Sequence, residues 1–149
     1  MADEARITSS LNVRKLSSTG RVILEYQSRP NSFQADVSGR KGPVPGAVRV
    51  ETMPGTNISF GELTQPALCR IGNLDLTNFL TVGIWDQDNS VFFPLMEILP
   101  EENYVIRLTR YLQEEFGTGT GTHPQGSNNY LRLVADTAAL NALVEAFEV

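Results

Sequence analysis

The chain has 149 residues, 41% of them hydrophobic and 19% charged, with a net charge of −5 and a pI near 4.8. That balance suits a globular protein with its own core and lacks the clustered Lys and Arg of a nucleic-acid binder. One Cys rules out an internal disulfide framework and thiolate zinc, and one His rules out a His-rich metal site.

No apolar run approaches membrane-spanning length, and the opening MADEARITSS has no signal-peptide core, so folding in a cytoplasm is expected. Basic residues gather in the first third (Arg6, Arg14, Lys15, Arg21, Arg29, Arg40, Lys41), and the last third carries Glu101, Glu102, Glu114, Glu115, Glu145 and Glu148. Such polarity suits either head-to-tail contact between copies or two solvated faces.

In chain order, 5–16 reads as a first strand whose alternation breaks once, as at a bulge or a crossing between sheets. The turn 17–20 leads to a second strand at 21–27, with Val22, Leu24 and Tyr26 on one side. Arg29-Pro30-Asn31 interrupts it, and 32–37 follows with Phe33, Ala35 and Val37 aligned. Three Gly and two Pro in 39–46 predict a stiff, shaped loop rather than a helix or strand, suited to docking or to crossing between sheets. After it, 47–52 alternates, Met53-Pro54-Gly55 turns, and 57–63 offers Ile58, Phe60 and Leu63 to a core.

The segment 63–110 holds the only Trp and the only Cys and reads as four strands. Cys69 lies in an apolar strand, where a buried inert thiol is expected. Residues 73–78 form a polar connection holding Leu74 and Leu76. Gly83 leaves room for a close neighbour, and Pro94 marks an edge strand or a bulge. Strands every eight to twelve residues indicate a β-sandwich, Ig-like or jelly-roll-like.

Four Gly, three Thr, His123 and Pro124 make 116–129 a mobile or partner-ordered loop, and 129–135 reads as a last strand. Asp136 then suits an N-cap, with Leu140, Leu143, Val144 and Phe147 at helical spacing. The expected organisation is one β-sandwich domain over 1–135 and a short docking helix over 136–149.

The residues that usually carry enzymology are missing, which predicts a non-enzyme without cofactor or metal. His123 sits on a Gly/Thr loop, a poor support for catalysis. The Gly/Thr run 117–122 lacks the Lys of a phosphate loop. Asp86, Asp88, Ser90 and Glu97 imitate a calcium loop, but Val91 stands where that loop needs Gly, leaving at most a surface site at Asp86 and Asp88. Asn57-Ile58-Ser59 spells a glycosylation sequon. Trp85, Phe92, Phe93 and Tyr104 offer either an aromatic ligand platform, as in a carbohydrate-binding module, or a core with a cross-strand pair. The predicted docking elements are Arg40, Lys41, Pro43 and Pro45 in the stiff loop, His123 in the long loop, and Leu140, Leu143 and Phe147 in the helix.

Three phrases carry a resemblance over about half the chain: Leu63-Thr64-Gln65-Pro66-Ala67-Leu68, Asn73-Leu74-Asp75-Leu76-Thr77-Asn78 and Leu99-Pro100-Glu101-Glu102. In this order they resemble a group of small virion proteins of tailed bacteriophages, which have Gly where Ala67 and Glu101 stand here. The resemblance implies a structural component of the virion, made in the host cytoplasm. Its expected partners are other virion proteins and further copies of itself, with neither nucleic acid nor membrane. Decoration of the capsid shell, contacting the major capsid protein, is the first expectation. A place in the tail or head–tail connector is the alternative, and sugar binding at the virion surface is a third.

Overall fold

The computed structural model describes residues 4–37, 39–61, 63, 66–108 and 129–148. The chain divides into two compact units, Met1–Ser38 and Gly39–Val149.

The first unit is a doubled hairpin. Strand β1 (Glu4–Ser9) pairs with β4 (Asn31–Asp36), and β2 (Asn12–Leu16) with β3 (Val22–Gln27), all antiparallel. The break expected within the first strand falls between β1 and β2. There the Leu11 amide donates to Ser28 Oγ at 2.7 Å and the Ser28 amide donates to the Leu11 carbonyl at 2.8 Å. The turn closes with the Ser17 amide on the Arg21 carbonyl (2.8 Å) and Gly20 at φ +79°, a conformation that favours glycine. Register puts Ile7 beside Phe33 on one face of the outer pair, and Val13 beside Tyr26 on one face of the inner pair. Ile7 is half-buried, whereas Leu11, Val13, Leu24, Tyr26 and Phe33 are all exposed. A two-stranded ribbon has only one layer and cannot bury its own apolar face.

The second unit is a sandwich of two four-stranded antiparallel sheets. One sheet runs β10 (Asn103–Arg107), β7 (Leu68–Asn73), β12 (Leu140–Phe147), β5 (Val44–Val50). The other runs β6 (Thr56–Asn57), β11 (Asn129–Ala135), β8 (Leu80–Asp86), β9 (Val91–Ile98). Alternation fills the space between them: Cys69, Ile71, Ala142, Val144 and Ala146 from the first sheet, and Leu80, Val82, Ile98, Leu131 and Leu133 from the second. Ile58, Phe60 and Leu63 join this core as expected, from a segment that is mostly not strand. Burial, with Glu145 nearby as a second cause, pushes the Cys69 thiol up to about 12, so the buried thiol is inert.

Among the described residues, both prolines in strands of the body, Pro45 and Pro94, lie on sheet edges. Pro94 is on β9, whose register shifts opposite Val82 and Gly83, so both the edge and the bulge foreseen for it are present. Gly83 is needed for close approach, because a Cβ there would collide with the Phe93 carbonyl and the Phe92 ring. Pro45 corrects the reading of 39–46 as incapable of strand: Val44, Pro45 and Gly46 begin β5, with Pro45 opposite Glu145. An edge strand needs partners on one side only, so a missing amide is tolerated there.

The C-terminal helix is absent. Residues Leu140–Phe147 form β12, central in its sheet and paired with β5 and β7 at once. The helical spacing of Leu140, Leu143, Val144 and Phe147 coincides with a period-two pattern of Leu140, Ala142, Val144 and Ala146, in which both alanines are fully buried. Two ladders of backbone pairing outweigh the intrinsic helix preference of alanine, a per-residue bias that tertiary context overrides. Asp136 caps no helix, and its Oδ1 instead accepts the Phe79 amide at 3.1 Å.

Candidate functional site

Three loops meet at one end of the sandwich: 74–79, 99–102 and 136–139. The first two are supported by Asn73, the last residue of β7, which is 2% exposed. Its Nδ2 donates to the carbonyls of Asn78 (2.8 Å) and Ile98 (3.2 Å), and its Oδ1 accepts the Asp75 amide at 3.0 Å. The Asn73 amide donates to the Glu102 carbonyl at 2.9 Å. The side chain thus ties β7 of one sheet to β9 of the other, with both donors and its oxygen used.

Within 74–79, Asp75 Oδ1 accepts the amides of Thr77 (2.8 Å) and Asn78 (2.7 Å), the Thr77 hydroxyl (3.1 Å) and the Asn78 side-chain amide (3.2 Å). These donors, the Asn78 amide first and the Thr77 amide next, hold the exposed Asp75 carboxyl below the usual carboxylate range. The Leu74 amide reaches the Asn141 carbonyl at 3.0 Å, and the Asp136 amide the Phe79 carbonyl at 3.2 Å. In 99–102, Glu102 Oε2 accepts the Leu99 amide at 3.2 Å and the Tyr104 hydroxyl at 3.1 Å.

On this locked frame the large apolar side chains point to water. Leu74 is 52% and Leu76 73% exposed, and Phe79 and Leu99 are also exposed. Asp75, Glu101, Glu102 and Asp136 lie among them, and the three loops contain no Lys or Arg. Exposed leucines on a hydrogen-bonded frame, among carboxylates of one sign, form an apolar patch of the kind that marks interaction surfaces in general. Sequence reading took 73–78 as a polar connection. The signal available was Leu74 and Leu76 within a tract of hydrogen-bonding residues, which predicts a fixed loop with leucines left over.

The residues chosen for docking are placed differently. Arg40, Lys41, Pro43 and Pro45 are exposed, and the Lys41 carbonyl accepts the Glu148 amide at 3.1 Å. Gly42 packs against the Ala146 carbonyl and the Phe147 ring, so the Pro/Gly segment and the C-terminal strand adjoin. Leu143 and Phe147 are half-buried on the outer face of their sheet, where Arg70 bridges Glu145 at 3.1 Å. Leu140 belongs to the core and cannot dock. His123 and 116–128 lie outside the described residues.

Trp85 and Phe92 are cross-strand partners on the outer face of the other sheet, whereas Tyr104 belongs to β10 of the first, so the three share no platform. The Arg132 guanidinium lies 3.6 Å from the centre of the Trp85 ring. Its Nε donates to Asn57 Oδ1 at 2.6 Å and an Nη to the Pro54 carbonyl at 3.1 Å, and burial lowers its pKa. One face of the indole is therefore occupied, and Asn57 of the sequon serves as an acceptor. At the 86–90 turn, Asp86 Oδ1 accepts the amides of Asp88 and Asn89 at 3.0 and 3.1 Å, and its Oδ2 accepts Asn89 Nδ2 at 2.7 Å. The Asp86 carboxylate is thereby engaged in shaping the turn. No protein-family model, curated protein or solved structure matches this chain.

Proposed function

We propose that the chain is a non-enzymatic structural protein of a tailed-phage virion, a decoration protein that braces the capsid shell through contacts repeated by symmetry. The observation that carries this reading is the meeting of two of the three phrases behind the phage resemblance. Residues 73–78 and 99–102 are joined by the Asn73–Glu102 backbone bond, and together they hold Leu74, Leu76 and Leu99 out to solvent. Locked, exposed leucines suit a contact made many times, where each copy adds a modest energy.

Strand order lends support at the level of architecture. Counting β5 to β12 as one to eight, the sheets read 1-8-3-6 and 2-7-4-5, an order that supports the jelly-roll reading of the sandwich. Viral capsid domains use that fold, as do lectins, so the analogy is one of fold alone. The sugar-binding reading is the weaker one, because Arg132 covers the Trp85 ring and Tyr104 lies on the other sheet.

The test is the mass of the purified chain by light scattering, together with co-sedimentation with empty capsids. Binding at a copy number fixed to the capsomers supports decoration. A soluble ring that ignores capsids moves the assignment to the tail or head–tail connector. A monomer that ignores capsids and tails overturns the virion reading.

A further inference from the structure

We propose that the inner half of the N-terminal hairpin, residues 11–30, docks on the 74–79 and 99–102 loop end of a second copy of this chain. The two surfaces are complementary in charge and alike in exposed apolar character. Residues 11–30 carry Arg14, Lys15, Arg21 and Arg29 against the single acid Glu25, with exposed Leu11, Val13, Leu24 and Tyr26 between them. The receiving end carries Asp75, Glu101, Glu102 and Asp136 with no cation in its loops, around exposed Leu74, Leu76 and Phe79. The asymmetry extends to the whole chain, since residues 39–149 hold seven Lys and Arg against thirteen Asp and Glu.

Each surface needs what the other supplies. A two-stranded ribbon is marginal without a second layer, and the hairpin's apolar side chains lie in water. The loop end is already fixed by its own hydrogen bonds, so docking orders little on that side. Because the surfaces are different patches, the contact is heterologous, and repetition builds a ring or a lattice according to the rotation it imposes. Opposite charges steer the encounter and weaken it at high salt.

The inference goes beyond the virion reading, because self-association is read on the purified chain and capsid binding is read separately. The experiment is sedimentation velocity of the full chain over a range of concentrations, with two double variants: K15E/R21E on the hairpin and L76K/E101K on the loop end. All four side chains are free of the hydrogen bonds that hold either frame, and Leu76 is mostly solvated, so both variants keep the fold.

Wild-type chain is expected to associate with rising concentration, and each double variant alone to dissociate about tenfold or more readily. Mixing the two variants is expected to restore association, since the acidic hairpin meets the basic loop end and the two unchanged surfaces meet each other. A wild-type monomer at all concentrations overturns the proposal. So does association that neither variant weakens, or weakening in both that mixing does not restore.

Discussion

At the scale of single residues, Asn73 stands out because its amide group holds two sheets and a loop at once. Replacing it with Ala leaves the Ile98 carbonyl short of a partner in a buried setting and opens the Asn78 contact. We expect Asn73→Ala to cost about 2–3 kcal/mol, read from the shift of a urea denaturation midpoint. Asp75 gives a pH signature. Its carboxyl is lowered in the fold from the ordinary 3.8, so the loop stability it provides is complete above that value and is lost as pH falls through the lowered one. A carboxyl NMR titration should place its midpoint below 3.8, and Asp75→Asn should remove that acid-side loss. The tie from Asn73 to the second sheet was not legible beforehand, since Ile98 lies 25 residues away and nothing local announces the bond. The role of Gly83 was legible, because an isolated glycine inside an apolar strand pattern implies a close neighbour.

At the scale of elements, β12 shows how two periods can share one sequence. Leu140, Leu143, Val144 and Phe147 satisfy a helix, whereas the burial of Ala142 and Ala146 and the pairing on both sides belong to a strand. Small residues are silent in a hydrophobic pattern, and they are what a central strand needs where two sheets face closely. The difference can be measured. On the docked helix expected from sequence, Ala142 lies off the apolar stripe and accepts a larger side chain. In the sandwich, Ala142→Leu should destabilise by about 1–3 kcal/mol in the same denaturation assay. The hairpin and edge elements were readable because their punctuation is local: Asp86 to Asn89 for a turn, Pro94 for an edge. The stiff segment 39–46 was readable only in part, since composition does not say that Pro45 has pairing demands on one side alone.

At the scale of the whole molecule, the all-β architecture was legible from the even spacing of turns, whereas the division near residue 38 was not. The hairpin strands carry the same alternation as the core strands, and sequence does not reveal which apolar faces find a second layer. The division predicts uneven stability. In native-state hydrogen exchange of the isolated chain, amides of β2 and β3 should exchange through low-energy local opening, and those of β7, β11 and β12 only near global unfolding. Protection rising in β2 and β3 as the chain self-associates would accompany the docking proposed above.

The two edge prolines have a consequence for crowded assemblies. A strand arriving from another copy extends a sheet by matching every free amide and carbonyl along its border, the route by which exposed edges seed fibres. Pro45 interrupts that row on β5, and Pro94 with its adjacent bulge interrupts it on β9, so one border of each sheet resists templated growth. For the self-docking proposed above, these two borders are left to recognition by side chains, where geometry sets how many copies join and where addition stops.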